Sequence, residues 1–553
     1  MDFRTLLIFI SLCTGLSSIC SGQKPGTTPE NLTQVKNIIM MIPDGTSTSV
    51  LSLARWYQNY YSTEITWLNI DEIVTGLVKT HCSDAPIGDS GATGSAYASG
   101  IVSQDGYIST YPEKTPNDLV PTDAARANAP AMTILEAAKI KGMSTGIAVT
   151  SYFTHTTPAA FAAHTYNGNR NDWISQQMVY NHIDVVFGGG TDYLMAGHRQ
   201  YLNQRGWDII IDDYNKFRAY NGTKVWGLFA PRDLPYDLER NQSAIPSLAE
   251  MTRKATDILS KNENGFFLMV EGSKIDWAAH DNDPIGIITE FLAFDNAVKE
   301  ALEFAKANGN TAVIICPDHG NSAISMGNEA SSSRYSKLTK QQLLGPIVAC
   351  KYTAEGFANR LIQIEFNDAL IRKLFADDMG INDLTEPELY TIQNAMSRRN
   401  LAAVKNVVIQ VVNSRTFLGF TTGGHTGEDV FLACYHPNGE VLKGIVANTE
   451  VNKYMSSLLG IPNLADSTQK YFAGHKTLFP ETHYRVSWDK KDFLPSLTVT
   501  NKKTKKSFTV KTFDSRVSLK GTKRRHDQLE TIVLYVDKNE EFYLPRELKD
   551  LID

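Results

Sequence analysis

The stretch NIIMMIPDGT, residues 37–46, is apolar at every position from 38 to 42 and then turns abruptly to Asp44 and Gly45. It shows no polar alternation, so a strand here would be covered on both faces, as in a parallel sheet held between helices. Comparable runs recur at 144–150, 182–187, 265–270 and 311–316. Longer helical patterns lie between them, at 131–141, 247–261 and 289–308. Strand and helix in alternation predict an α/β fold, a mostly parallel central sheet with helices on both faces. Ligands in such sheets bind beyond the carboxyl ends of the strands, so the polar residues that end these runs are the ones to read.

The rest of the chain sets bounds on that reading. With 553 residues, 42% hydrophobic and 21% charged, it is an ordinary globular composition, and a net charge of −6 gives no reason to expect nucleic acid as a main partner. A basic run at 502–511 and again at 523–525 reads as a solvated face. Residues 1–22, with the apolar core LLIFISLCTGL at 6–16, have the layout of a secretory signal peptide cleaved before Gln23. The mature protein is then expected to be secreted or periplasmic. A lipid on Cys20 is the alternative, disfavoured by Ile19 just ahead of it. No later stretch is long and apolar enough for a transmembrane helix. Cys82, Cys316, Cys350 and Cys434 form no CxxC, which argues against a cysteine zinc site and leaves buried thiols or a disulfide open. Two regions depart from the alternation. A segment at 321–420, helical at 366–377 and 386–397, reads as an insertion forming a lid, a crown or an oligomer contact. Residues 484–553 carry strand-like segments at 496–500, 507–512 and 531–536 and read as a small β-rich appendage to the main unit at 23–483.

Three strand ends and one loop carry metal-ligand chemistry. Asp44 follows the first run. In FFLMVEGSKIDWAAH, residues 266–280, Glu271 ends the strand, and Asp276 and His280 stand four apart on one helical face. In AVIICPDHG, residues 312–320, Asp318 and His319 are adjacent. The loop TTGGHTGEDV, residues 421–430, presents His425. Taken singly, each has a plain reading as a turn, a salt bridge or a loop residue. Together, Asp, Glu and His without cysteine are the donors suited to zinc and magnesium. The segment GDSGATGSAYASG, residues 88–100, puts Ser90 where a helix amino terminus could face an anion. On composition alone it reads equally as a packing helix capped by Asp89 or Ser90.

The ordered set Asp44-Gly45, Asp89-Ser90, His155-Thr156-Thr157-Pro158, Glu271…Asp276…His280, Asp318-His319 and His425-Thr426-Gly427-Glu428 resembles the alkaline phosphatase family, with further similar text at 188–190 and 226–229. The resemblance runs in one order from Asn37 to Val430. It implies a catalytic unit over 23–483, a two-fold dimer, and two zinc ions and one magnesium ion per chain. Asp276, His280 and His425 would hold one zinc, and Asp44, Asp318 and His319 the other beside Ser90. Asp44, Thr157 and Glu271 would hold magnesium, with Asp44 bridging. His155 would orient water or phosphate beside the metals. Arg170, in a loop some two residues longer than the family pattern, would clamp the phosphoryl group. Thr46-Ser47 where Met-Gly is frequent, Trp277 near the magnesium position, and His155 in place of an Asp are departures that bear on rate and pH profile.

The implied reaction is hydrolysis of small phosphate monoesters through a phosphoserine on Ser90. A phosphodiesterase or sulfatase on the same scaffold is the alternative within enzymes. A metal- or phosphate-binding protein without catalysis is the alternative outside them.

Overall fold

The computed structural model describes residues 32–461, 463–489, 494–521 and 528–553. The leader at 1–22, Cys20 within it, and the basic cluster at 523–525 lie outside the described residues. Ten strands make one central sheet. In chain order they are β1 (Asn37–Pro43), β2 (Val74–Lys79), β3 (Ser144–Tyr152), β4 (Val185–Gly189), β5 (Asp208–Ile211), β6 (Val225–Leu228), β7 (Phe266–Gly272), β8 (Thr311–Ile315), β9 (Val430–Tyr435) and β10 (Gly444–Ala447). Their spatial order is β10-β2-β9-β8-β1-β7-β3-β4-β6-β5. β9 runs antiparallel to both its neighbours, β2 and β8. Every other pairing in the sheet is parallel. The fold is the predicted α/β class.

The sheet is covered on both faces, and the period of two sorts its side chains cleanly. From β1, Ile39 and Met41 enter one core and Ile38, Met40 and Ile42 the other. From β7, Phe266, Leu268 and Val270 join the first, and Phe267 and Met269 the second. All of these are fully buried, and each such side chain contributes ~1.5–3 kcal/mol of transfer free energy. The first core is closed by helices Leu248–Leu259 and Pro284–Asn308. The second is closed by Thr156–Ala162, Asn171–Tyr180 and Asn448–Leu458. Helix Pro284–Asn308 begins on the Asp283 cap with proline in its first turn and stops at Gly309, whose φ of 67° ends it in the left-handed region.

Between β8 and β9 lies the helical segment predicted at 321–420. It holds five helices, Lys340–Val348, Ala354–Leu361, Asp368–Met379, Glu386–Ser397 and Leu401–Asn413. It packs on the first core and reaches the end of helix Lys274–Asp281, where Lys405 pairs with Asp281 at 2.5 Å and Asn413 donates to the Asn282 carbonyl. At the carboxyl end of the chain, four antiparallel strands (Tyr484–Trp488, Pro495–Thr500, Ser507–Lys511, Val517–Lys520) form one small sheet. A three-stranded sheet of Ala473–Gly474, Glu541–Leu544 and Leu534–Val536 forms a second. The two share a core of their own, built on Leu497, Val499, Phe508 and Phe542. The four cysteines beyond the leader are buried and unbridged. No helix among the described residues is long and apolar enough to cross a membrane.

Candidate active site

β8, β1 and β7 are adjacent and in register, with Met41 opposite Ile315 and Pro43 opposite Gly272. Their carboxyl ends therefore deliver Asp318 and His319, Asp44, and Glu271 side by side. Asp44, Glu271, Asp318 and His319 are all fully buried. Helix Lys274–Asp281 starts just past β7 and carries Asp276 and His280 one turn apart. His425 arrives from the far side of the 321–420 segment. A two-residue strand, His425–Thr426, pairs antiparallel with Gly320–Asn321, and this stacks the His425 ring on His319 with centroids 3.7 Å apart.

Ser90 opens helix Ser90–Ser99, and Asp89 caps it by accepting from the Gly91 and Ala92 amides. The cap fixes where Ser90 points. Its Oγ is 3.0 Å from His319 Nε2 and 3.4 Å from Asp44 Oδ1. Thr157, at the head of helix Thr156–Ala162 after β3, donates to Asp44 Oδ2 at 3.4 Å. One carboxylate thus stands between the serine and the threonine. Three sets of donor atoms cluster around these strand ends: Asp276 with His319 and His425, Asp44 with Asp318 and His319, and Asp44 with His155 and Glu271; a fourth among the described residues joins Cys82, Asp89 and Asp105. In each set the atoms lie within 4.8 Å of one another. His280 joins the first, its Nε2 lying 3.1 Å from His425 Nε2 and 3.4 Å from Asp276 Oδ2. His155 lies beside Asp44 and Glu271.

Tautomers follow from the backbone. Nδ1 of His280, His425 and His319 sits on the carbonyl oxygens of Gly423, Gly88 and Gly320, at 2.9, 2.9 and 3.1 Å. A carbonyl only accepts, so Nδ1 carries the proton and Nε2 turns inward on each ring. Metal-binding histidines are oriented in this way. The carboxylates make the same demand. Both oxygens of Glu271 and Oδ2 of Asp318 are buried with no hydrogen-bond partner. Burial, with the Asp318 charge added, pushes Glu271 up to about 8. Burial and the charges of Asp318, Asp276 and Glu271 raise Asp44 well above the usual carboxylate range. Asp276 is instead held low, because bonding from His280 and the nearby histidines overcomes its burial. His280 rises to about 9 through its bond to Asp276. A group of buried carboxylates around inward-facing imidazole nitrogens fits divalent cations and little else.

Arg170 stands apart from this set. Its guanidinium contacts Tyr166, Trp173 and Asp537, and none is a predicted site residue. Sequence reading also passed over Asn321, which donates to Asp276 Oδ1 at 2.7 Å, and Gly45, whose amide donates to Asp318 Oδ1 at 3.1 Å. Gly45 closes the PDG motif and Asn321 directly follows DHG, so position alone could have pointed to them. Asp537 carried no such signal.

Sheet and site together define a doubly covered α/β sheet with a cluster of possible cation ligands at the carboxyl ends of its central strands. The family model described as alkaline phosphatase matches residues 35–461, and the chain belongs to that family. Alkaline phosphatase 3 of Bacillus subtilis is 32% identical over 466 residues, which span 81% of this chain and 96% of that protein. The crystal structure of a cold-active alkaline phosphatase from Shewanella sp. superposes with a TM-score of 0.68 at 28% identity, covering 76% of this chain and 99% of that one. A variant of the TAB5 alkaline phosphatase, solved with Mg bound, has a TM-score of 0.53 at 24% identity and covers 78% and 100%.

Proposed function

We propose that the chain hydrolyses phosphate monoesters to alcohol and inorganic phosphate in two displacements, through a phosphoserine on Ser90. The observation that carries this reading is the placement of Ser90 Oγ at a capped helix amino terminus, 3.0 Å from His319 Nε2 and 3.4 Å from Asp44 Oδ1. Asp276, His280 and His425 would hold one zinc ion, and Asp44, Asp318 and His319 a second. Asp44, Thr157 and Glu271, with His155 beside them, would hold magnesium. Bound there, such ions supply positive charge to the entering and leaving oxygens and favour ionisation of a nucleophile at neutral pH.

The chain's own residues do the remainder. The Asp89 cap and the small residues after Ser90 hold Oγ fixed, so the in-line attack loses little orientational entropy. Arg170 would fork onto two phosphoryl oxygens, which a lysine could not match. In the first displacement the Ser90 O–P bond forms as the ester O–P bond breaks, and the alcohol leaves with a proton. In the second, water attacks the phosphoserine, and Ser90 recovers its proton as phosphate departs. The signal-peptide layout of residues 1–22 supports an activity outside the cytoplasm.

The test is a comparison of aryl phosphate, aryl phosphodiester and aryl sulfate turnover by the wild-type protein and Ser90→Ala. The reading requires the monoester to be preferred, and requires Ser90→Ala to keep its metals while losing covalent labelling by phosphate. Near wild-type turnover by the variant overturns it. A preference for diester or sulfate assigns the scaffold to that chemistry instead.

A further inference from the structure

The guanidinium of Arg170 is held by a residue from the opposite end of the chain. Its Nη2 donates to Asp537 Oδ2 at 3.0 Å and to the Tyr166 hydroxyl at 2.8 Å, and that hydroxyl donates to Asp537 Oδ1 at 2.6 Å. The three groups close a ring in which both carboxylate oxygens are used. The same guanidinium lies over the Trp173 ring at 4.1 Å and the Tyr166 ring at 4.7 Å. Its Nη1 is buried with no partner. One edge of the fork is pinned and the other is left for a ligand.

Asp537 sits in the turn between strands Leu534–Val536 and Glu541–Leu544, beyond the 35–461 stretch matched by the family model. The turn is docked, not loose. Lys538 Nζ reaches Glu113 at 3.2 Å and the Tyr107 hydroxyl at 3.3 Å, and it lies 4.4 Å above the Tyr166 ring. Asn539 donates to the Ala127 carbonyl at 2.9 Å. Trp173, under the guanidinium, also packs on Phe513 of the same region, with centroids 5.1 Å apart. The carboxyl-terminal strands thus support the Arg170 guanidinium from both its carboxylate and its ring side.

We propose that Asp537 is a positioning residue for phosphate binding: through its closed ring with Tyr166 and Arg170, the carboxyl-terminal strand pair sets the arginine that grips the substrate's phosphoryl group. This rests on the reading of Arg170 as that clamp. Removing the carboxylate frees the long side chain to sample other rotamers, and the ordering cost then falls on each binding event.

The experiment is a double-mutant cycle on the full-length, metal-loaded enzyme with 4-nitrophenyl phosphate as substrate and inorganic phosphate as inhibitor. Asp537→Ala is expected to raise KM and the phosphate inhibition constant about tenfold, with kcat changed less than about threefold. Asp537→Asn, which keeps shape and an acceptor for Tyr166, is expected to fall between. Neither change should alter metal content. Once Arg170 is Ala, Asp537→Ala should have no further effect on phosphate binding. If Arg170→Ala alone leaves phosphate inhibition and kcat/KM unchanged, the clamp reading itself fails. If Arg170→Ala weakens phosphate but Asp537→Ala and Asp537→Asn match wild type, the positioning role is overturned. An equal loss from Asp537→Ala with and without Arg170 overturns it as well. Asp537→Asn keeps the test decisive should the alanine variant fail to fold.

Discussion

His280 Nε2 and His425 Nε2 face each other at 3.1 Å, with Asp276 Oδ2 3.4 Å from the first and Asp276 Oδ1 3.6 Å from the second. With both Nδ1 atoms committed to backbone carbonyls, two lone pairs meet across that gap unless a proton or a cation stands between them. The raised His280 is the proton's answer to the problem. A divalent ion answers it for both rings and for Asp276 together. His425→Ala should therefore lose about one zinc per chain by elemental analysis. It should also lose at least the ~100-fold in rate that even outer partners of a metal site can cost. Full zinc content in that variant would remove Asp276, His280 and His425 as a ligand set.

Gly45 leads to a second expectation. Its φ is +57°, and a Cβ there would fall 2.1 Å from Asp276 Oδ1 and 2.7 Å from Asp276 Cβ. The left-handed backbone alone costs an alanine ~1–2 kcal/mol. The greater effect is on Asp276, which must move off the position it shares with His280 and His425. Gly45→Ala should fold, with its melting temperature only a few degrees lower, yet bind zinc weakly and lose on the order of 100-fold in kcat/KM, partly restored by excess zinc. Wild-type activity at trace zinc would show that Asp276 has room to spare.

The sheet and the cluster of acidic and histidine side chains at its strand ends were legible for one physical reason. Strands buried on both faces, such as β1, β7 and β8, write an unbroken apolar run that stops where the backbone reaches the site, so Asp44, Glu271 and Asp318 are marked by position. β2 was not legible, because it is mostly half-exposed and holds Gly76, packed against Gly444 of β10. β5 and β6, of four residues each, are too short to show a period. What joins His425 to His319 is a two-residue strand pairing, and what joins Arg170 to Asp537 is a contact across 367 residues. Neither leaves a local pattern, so a family resemblance could suggest the arginine but could not reveal its partner.

Glu271 makes a third case. Both its oxygens are buried and unpartnered, and Thr157 approaches the shared Asp44 from the same side. A cation bound here would be distinct from one held by Asp276, His280 and His425. Glu271→Gln keeps the volume and removes the charge, so it should abolish stimulation by added magnesium while leaving zinc content near wild type. A fall in kcat of about 10- to 100-fold is expected, measured by titrating magnesium into metal-depleted enzyme reloaded with zinc. Undiminished magnesium stimulation would take Glu271 out of that site.

The carboxyl-terminal region carries a pH-dependent contact of its own. His475 Nδ1 accepts the Phe542 amide at 3.0 Å, and its ring packs on Tyr484 and Phe542. Burial, with Lys476 adding to it, pushes this histidine down to about 4, whereas an unfolded histidine titrates near 6.5. The folded form therefore binds fewer protons than the unfolded form between those values. The contribution of the contact to stability is complete above about 6.5 and is lost as the pH falls toward about 4. The protection factor of the Phe542 amide, with the intrinsic pH dependence of exchange divided out, should fall progressively from pH 7 to pH 4.5. His475→Asn, which keeps a side-chain acceptor but cannot take up a proton, should flatten that profile with little change in protection at pH 7. An Asn variant whose Phe542 exchange follows the wild-type pH curve would place the sensitivity elsewhere in the sheet.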